Sequence, residues 1–349
     1  MTDRPLGFGV VGAGTIGAQH AAALRGVEGA TLVAVCEPRV ETGQRLAAEY
    51  GVEWCPDLAA LLARSDVQVV VLATPSGLHA GQCLEAAEAG KHVVAEKPVA
   101  TTLADTDRMR EACRRAGVRL AVVFQNRFHR PALRLKRAVE AGLFGRIVLA
   151  GAYVHWSRSR EYFAASGGWR GTWVMDGGGA LINQSIHYLD LLLWILGPIA
   201  RVTGFTATLA HPIQTEDTVS AALVFQSGAL ATVQGSTALH RDRPARIEIH
   251  GQEGSAVLEG RRLAIWEPGR AEAPLSAADL ESTCEPGDED AFWLGHQAQF
   301  RAIVQALRRG EQPPVDPLEA RHALEAVLAI YEAARNGRQV TLPLASATA

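Results

Sequence analysis

Residues 7–24 read GFGVVGAGTIGAQHAAAL, an apolar strand-like run that breaks into glycines and restarts as a helix. Gly12, Gly14 and Gly17 stand at the break as G-x-G-x-x-G. At this spacing the first glycine makes the tight turn, the second lets backbone approach a pyrophosphate, and the third lets helix pack close to strand. Thr15, Ile16 and Gly17 open the helix, whose unpaired N–H groups and positive dipole end suit phosphate. A glycine pattern alone is weak, because a purely structural glycine turn looks the same. Here the next strand, TLVAVCE (31–37), ends at Glu37, twenty residues past Gly17, where a carboxylate binds ribose hydroxyls. That carboxylate repels a 2′-phosphate, so NAD is expected over NADP. Arg39, two residues on, argues the other way, as a guanidinium suited to phosphate.

Outward from this loop, strand-like runs at 8–11, 31–37, 67–73, 92–96 and 119–125 alternate with helical patterns near 16–26, 40–50, 78–89 and 102–116. Strands apolar on both faces and separated by helices predict a parallel sheet covered on both sides, the doubly wound Rossmann plan. After residue 145 the rhythm changes. RIVLAGAYVHW, ARVTGFTATLA, TVSAALVFQ, ALATVQGSTA, ARIEIHG, SAVLEG and RLAIWE follow in series, with QSG and QEG as hairpin turns. One helix (179–196) interrupts them, and two (290–309, 317–336) follow. The expected fold class is α/β: an N-terminal Rossmann domain over 1–125, then an α+β domain over 126–349 with a large open, mostly antiparallel sheet. The second domain is expected to bind substrate and to form a homodimer or homotetramer through that sheet. Residues 267–290, rich in Pro, Gly and acids, predict a long surface loop.

With 349 residues, nearly half of them apolar, the chain suits two domains. A net charge of −3 and a pI near 6.4 give no electrostatic footprint for nucleic acid or an anionic membrane, so neither is an expected partner. The longest apolar stretch, LDLLLWILG, falls far short of the ~20 residues that span a bilayer. Five cysteines without a CxxC pair predict reduced thiols and no metal site. The N-terminus runs into the glycine loop without a signal peptide's pattern. A cytoplasmic protein is expected.

Only three of the 34 basic side chains are lysines, and one is locked against a proline in Glu96-Lys97-Pro98. Lys97 ends a strand on the sheet's carboxyl edge, where ligands bind in this fold. A lysine beside a cationic nicotinamide has its pKa depressed and becomes useful in proton transfer. A surface lysine at a strand end is the bland alternative. A Lys–Pro bond at such an edge is a candidate for the cis form. LATPSGLH (72–79) ends another strand at the same edge, so Thr74, Pro75 and His79 are expected near the cofactor, as are Glu96 and Pro98.

Taken in order, GxGxxG, TPSGLHA, AGKHVVAEKP, QNRFHRPALRLKRAVEAGLFGRI and DGGGALINQSIHYLDLLLWILG closely resemble the Gfo/Idh/MocA oxidoreductases. The resemblance runs to the closing GRQVTLP. It implies oxidation of a sugar or polyol at NAD(P), while Arg158 and Arg170 leave room for an acidic sugar. It also implies that Lys97 contacts the reacting oxygen and that His187, on the second-domain helix, is the acid/base. Where inositol-type members commonly carry Asp, this chain has Asn183, which can orient a ring or substrate but supplies no negative charge. On an α-helix Asn183 and His187 share a face. Asp190, one turn later, is placed to hold the His187 tautomer. The triple glycine Gly177-Gly178-Gly179 signals close approach of backbone to another group.

The stretch YVHWSRSREYFAASGGWRGTWVMD (153–176) interleaves aromatics with arginines. Flat rings stack on sugar faces and guanidinium groups bind hydroxyls or carboxylates. Tyr153, Trp156, Arg158, Trp169 and Arg170 are therefore candidates for a substrate wall, with Arg127, Gln184 and His187. A subunit interface is equally consistent. Reversible NAD-dependent oxidation of a secondary alcohol is the expected activity. The alternatives are a keto-sugar reductase, an NAD-recycling glycoside hydrolase and a non-catalytic dinucleotide sensor.

Overall fold

The structure is a computed structural model that describes residues 4–284 and 293–344. Residues 285–290 of the expected surface loop lie outside that range. The chain forms two compact units, one of residues up to 128 together with 281–320, the other of residues 129–280 and from 321 on.

In the first unit, β1 (Leu6–Val11), β2 (Ala30–Cys36), β3 (Glu53–Cys55), β4 (Val69–Leu72), β5 (His92–Ala95) and β6 (Leu120–Val122) form a parallel sheet in the order 3-2-1-4-5-6. Helices α1 (Thr15–Arg25), α2 (Val40–Tyr50), α3 (Leu58–Leu62), α4 (His79–Glu88) and α5 (Leu103–Ala116) make the crossovers. Because both faces are covered, β4 is buried at every position, which is why it reads as an unbroken apolar run. The three-residue β3 and the five-residue α3 are too short to show a period.

The second unit opens on α6 (Arg130–Glu140), a helix that the sequence reading passed over. β7 (Ile147–His155) begins the second sheet and α7 (Arg160–Ala164) is one short turn. Residues Ala180–Ser185 wind as a π-helical turn before α8 (Ile186–Leu196), where a continuous helix was expected. β8 (Ile199–Ala207), β9 (Thr218–Phe225), β10 (Leu230–Ser236), β11 (Arg246–Gly251), β12 (Ser255–Glu259) and β13 (Arg262–Glu267) follow. After α9 (Ala277–Glu281) come α10 (Trp293–Arg308), which belongs to the first unit, α11 (Pro317–Asn336) and β14 (Val340–Thr341). The eight strands lie in the order 13-12-11-7-10-9-8-14, all antiparallel except β10 on β7.

Strand alternation gives this sheet two unlike faces. Ala150, Ala152, Val154, Val233 and Leu223 point to the buried side, and a Cβ on Gly235 would lie 2.1 Å from Ser185 Oγ of the π-turn. Leu149, Phe205 and Leu230 point the other way and are at least half exposed.

Candidate active site

The glycine loop sorts its three glycines by function. Gly12 has φ +100°, which L side chains avoid, and a Cβ there would lie 2.6 Å from the Ala73 carbonyl. A Cβ on Gly17 would lie 1.9 Å from the Gly12 carbonyl, so only glycine lets α1 pack this close. Gly14 differs: nothing lies within 4 Å of where its Cβ would be, leaving a clear approach for a ligand. The α1 N-terminus, at Thr15 and Ile16, has no side-chain cap and no acid in its first turn. These features fit a dinucleotide's pyrophosphate.

Glu37 is buried at the end of β2. Its Oε2 accepts the Ala13 N–H at 2.9 Å, and its Oε1 accepts from Arg39 Nε at 2.7 Å. Burial pushes the Glu37 carboxyl up, but the Arg39 fork and the Ala13 N–H more than offset this and hold it below the usual range. Arg39 is thus a partner of Glu37 rather than a rival to it, and its side chain is 67% exposed. Replacing Glu37 with Ser removes the charge that opposes a 2′-phosphate and releases Arg39. The ratio of kcat/KM for NADP to that for NAD should rise on the order of tenfold to a hundredfold. An unchanged ratio in steady-state kinetics would count against this assignment.

Along the carboxyl edge of the sheet, Thr74 Oγ1 donates to Gln82 Oε1 at 2.6 Å, and Pro75 leads into a 3₁₀ turn. His79 does not face a ligand. Its ring is fully buried, with Nδ1 3.0 Å from the Pro98 carbonyl and Nε2 3.0 Å from the Thr74 carbonyl. Burial holds the ring pKa down, so the neutral imidazole donates its one N–H to one of these carbonyls, and His79 packs behind both edge loops. The Lys97–Pro98 bond is cis. Lys97 is half-buried, and its backbone N–H donates to Glu96 Oε2 at 3.0 Å.

Glu96 is the centre of a buried cluster that the sequence reading missed. His20 Nε2, from α1, lies 2.8 Å from Glu96 Oε1, and His296 Nε2, from α10, lies 4.0 Å from the same oxygen. Burial pushes the Glu96 carboxyl up, but the His20 hydrogen bond, with Lys97 and His296 nearby, overrides this and holds it at about 2. The donor atoms of the three lie within 4.8 Å of one another, a composition that also suits a cation, although the Glu96–His20 bond already joins two of them. No local signal reveals the cluster, because its members lie 76 and 200 residues apart.

In the second unit, Tyr162 is the hub of the aromatic stretch. The Arg170 guanidinium lies over the Tyr162 ring at 4.5 Å and over Trp169 at 4.4 Å, and its Nη1 donates to Tyr162 Oη at 2.7 Å. Arg158 covers Trp156 at 4.9 Å and Tyr162 at 5.5 Å. Trp156 meets Tyr188 of α8 edge-on. Tyr162, Phe163, Asp176, Asn183, Gln184 and Thr237 line a small, partly open recess. Gln184 Nε2 donates to Tyr162 Oη at 3.3 Å. Asn183 Nδ2 donates to Asp176, whose other oxygen accepts the Gly171 N–H. The carboxylate that position 183 lacks thus stands directly behind it, on Asp176. His187 and Asp190 are buried in α8.

Three expectations change. Asn183 lies in the π-turn and His187 in the α-helix, so the i,i+4 relation does not fix their common face; π-turns of this kind concentrate at functional sites. Tyr153 sits on the open face of the sheet, opposite in phase to Val154, with Arg246 over its ring at 4.8 Å. It stands away from the pocket because successive strand residues face opposite ways. Arg127 is buried in the first unit, paired with Glu319 and lying 5.8 Å from the Phe124 ring centroid, so its charge is already engaged. The groups that approach Gly178 and Gly179 are protein atoms: Cβ atoms there would lie 2.2 Å from Tyr331 Oη and 1.7 Å from the Glu216 carbonyl.

A Rossmann sheet with an open glycine loop, a buried carboxylate ending β2 and a lysine after β5 fits an NAD-binding oxidoreductase. Sequence-family models agree, matching residues 6–124 as an oxidoreductase-family NAD-binding Rossmann fold and 132–257 as a Gfo/Idh/MocA C-terminal domain. The chain belongs to the Gfo/Idh/MocA oxidoreductase family. It is 28% identical to the scyllo-inositol 2-dehydrogenase (NAD(+)) of Bacillus subtilis, over 95% of each chain. Its fold matches the WlbA dehydrogenase of Bordetella pertussis, solved with NADH and UDP-GlcNAcA, at 38% identity and a TM-score of 0.86, over 98% of this chain and 100% of that one. The WlbA dehydrogenase of Chromobacterium violaceum, in the same complex, matches at 37% and 0.89, over 99% and 98%.

Proposed function

We propose that this oxidoreductase acts on a secondary alcohol of a sugar acid carried on a nucleotide, within the broader class of sugars, cyclitols and sugar acids. The observation that carries the reading is the pair Arg158 and Arg170 stacked around Tyr162 beside the Asn183–Gln184 pocket. Arg158 Nη1 already donates to the Ser157 carbonyl at 2.7 Å and lies 3.4 Å from Asp242, but each guanidinium has five N–H donors, so these contacts and the Arg170 bond to Tyr162 leave others for a carboxylate. The likeness to two dehydrogenases crystallised with NADH and UDP-GlcNAcA supports the same substrate class.

Bound NAD supplies the hydride acceptor. Lys97 hydrogen-bonds the reacting oxygen and stabilises the alkoxide charge that develops there. His187 accepts the hydroxyl proton as general base. Asn183, polarised by Asp176, orients substrate or ring, and Trp156 and Trp169 offer flat faces to it. Lysine suits position 97 because its ammonium can share a proton, which arginine does not do near neutrality.

The open face of the second sheet, with Leu149, Phe205, Leu230 and Tyr153, is the surface through which a homodimer or homotetramer would form. A cytoplasmic location goes with the dinucleotide and with five free cysteines. No helix among the described residues is long and apolar enough to cross a membrane.

The test is NADH absorbance with NAD and a panel of UDP-GlcNAcA, UDP-GlcNAc, scyllo-inositol and free uronic acids. UDP-GlcNAcA should exceed UDP-GlcNAc in kcat/KM by on the order of tenfold to a hundredfold, the worth of a charge-assisted hydrogen bond. Preference for inositol or a free sugar would move the substrate class. Aglycone release without net NADH would indicate a hydrolase, and tight NAD binding without turnover a sensor.

A further inference from the structure

The strongest unexplained feature outside the pocket is a buried carboxylate under the triple glycine. Glu216, in the loop between β8 and β9, is 3% exposed. Its Oε2 accepts the Gly179 N–H at 3.0 Å and its Oε1 the Leu181 N–H at 2.8 Å, while its backbone carbonyl accepts the Ala180 N–H at 3.0 Å. Tyr331 of α11 donates its hydroxyl to Glu216 Oε1 at 2.9 Å. One residue therefore binds three successive N–H groups at the start of the π-turn that leads into α8. Gly178 and Gly179 are glycines because Tyr331 and Glu216 press against them.

We propose that Glu216, fastened by Tyr331, is a positioning residue whose ionised carboxylate sets the π-turn carrying Asn183 and the helix start carrying His187. This rests on the roles proposed above for Asn183 and His187. The chemistry is one of donor and acceptor count. An ionised carboxylate accepts everything aimed at it: two backbone N–H groups and one hydroxyl. A protonated one carries an O–H of its own: either it faces an N–H and that bond is lost, or it donates to Tyr331 Oη and reverses the Tyr331 bond, and in both cases the backbone N–H groups are left with a neutral, weaker acceptor. The turn then relaxes, and the side chains it aims shift with it. Turnover thus depends on a proton that never reaches substrate.

The groups around Glu216 support ionisation as the variable. From α11 it meets Tyr331, whose ring is in turn capped edge-on by Trp173 at 5.4 Å. Its chain neighbour Asp217 is occupied by the N–H groups of Leu209, Ala210 and His211. Across the glycine loop, Asp176 is held by Gly171 and Asn183. Among the described residues no lysine or arginine is hydrogen-bonded to Glu216. Burial accordingly pushes its carboxyl up to about 7, against the pull of the Leu181 N–H, Tyr331 and Gly179. Burial and then the Glu216 charge push the Tyr331 hydroxyl well above its usual range, so it remains the donor.

The test uses the full-length enzyme and three measurements. Wild-type kcat should fall on the acid side of a limb near neutral pH. Glu216→Gln, which presents one acceptor and one donor at every pH, should lose that limb and remain about tenfold below the wild-type plateau, with NAD affinity unchanged. Tyr331→Phe removes a bond that favours the ionised form, so the limb should move to higher pH. The third readout is independent of catalysis: amide-exchange protection at Leu181 in the wild type should increase as pH rises through the same limb. A pH-independent protection factor at Leu181 would overturn the proposal even if the variants fold poorly. A Glu216→Gln limb identical to wild type would overturn it as well. The protection change with an unaltered profile in a His187 variant would instead locate the failure in the role given to His187.

Discussion

Lys97→Arg is expected to bind NAD as the wild type does and to lose turnover on the order of 10²- to 10⁴-fold. The glycine loop, Glu37 and the edge at Thr74 are untouched by the change, so a dinucleotide titration should be superimposable on the wild type. What changes is the group proposed to contact the reacting oxygen. The ammonium is a compact charge that can share its proton, whereas a guanidinium is planar, larger and fixed in its ionisation. Lys97 is also set from behind, since its own N–H is bound to Glu96 and Glu96 is held by His20. A longer, forked side chain inherits that anchor and overshoots. Stopped-flow NADH formation separates binding from chemistry, and a kcat near wild type would remove Lys97 from the reaction.

His187→Asn should reduce kcat on the order of 10²- to 10³-fold and abolish the limb that belongs to the base itself. Asparagine keeps a polar group of similar reach in a buried site, so a large loss reports proton transfer rather than packing. The Leu181 amide should still show its own pH dependence in this variant, because Glu216 is intact. The expected pattern is therefore one titration lost and one retained. If kcat against pH keeps its wild-type shape in His187→Asn, another group is the base.

How far the sequence could lead depended on the range of each signal. Period-2 alternation is local, and seven strands of the second sheet stood out from it; the first sheet's β3, three residues long, had no period to show. The α6 helix carries Ala132, Leu133, Leu135 and Ala138 on its buried side, a helical spacing that is present in the sequence but short and interrupted by charged residues. A π-turn differs from an α-helix in hydrogen-bond register, not in composition, so residues 180–185 gave no hint of it. Tyr153 was placed in a wall of aromatics by proximity in sequence, and applying the phase of its strand would have set it on the far face. The triple glycine was read correctly as a site of close approach, but its neighbours, Glu216 and Tyr331, lie tens of residues or more away. Distance likewise concealed His20 and His296 around Glu96, whereas Asp176 lies only seven residues from Asn183 and was hidden by the intervening glycine turn, which has no period to read. Motifs confined to one turn were legible; networks assembled from distant segments were not.

The position of α10 has a consequence for how this polypeptide comes off the ribosome. Phe300, Ile303 and Val304 fill the same apolar cluster as Phe8, Val10 and Val71, and Gln299 donates to the Val122 carbonyl at the sheet's last strand. The first six strands are therefore synthesised well before the helix that seals one of their faces. A gene cut after codon 128 would encode a nucleotide-binding sheet with that side bare, prone to self-association in the way of any exposed core. Shuffling of this module between genes would succeed only when the late helix travels with it.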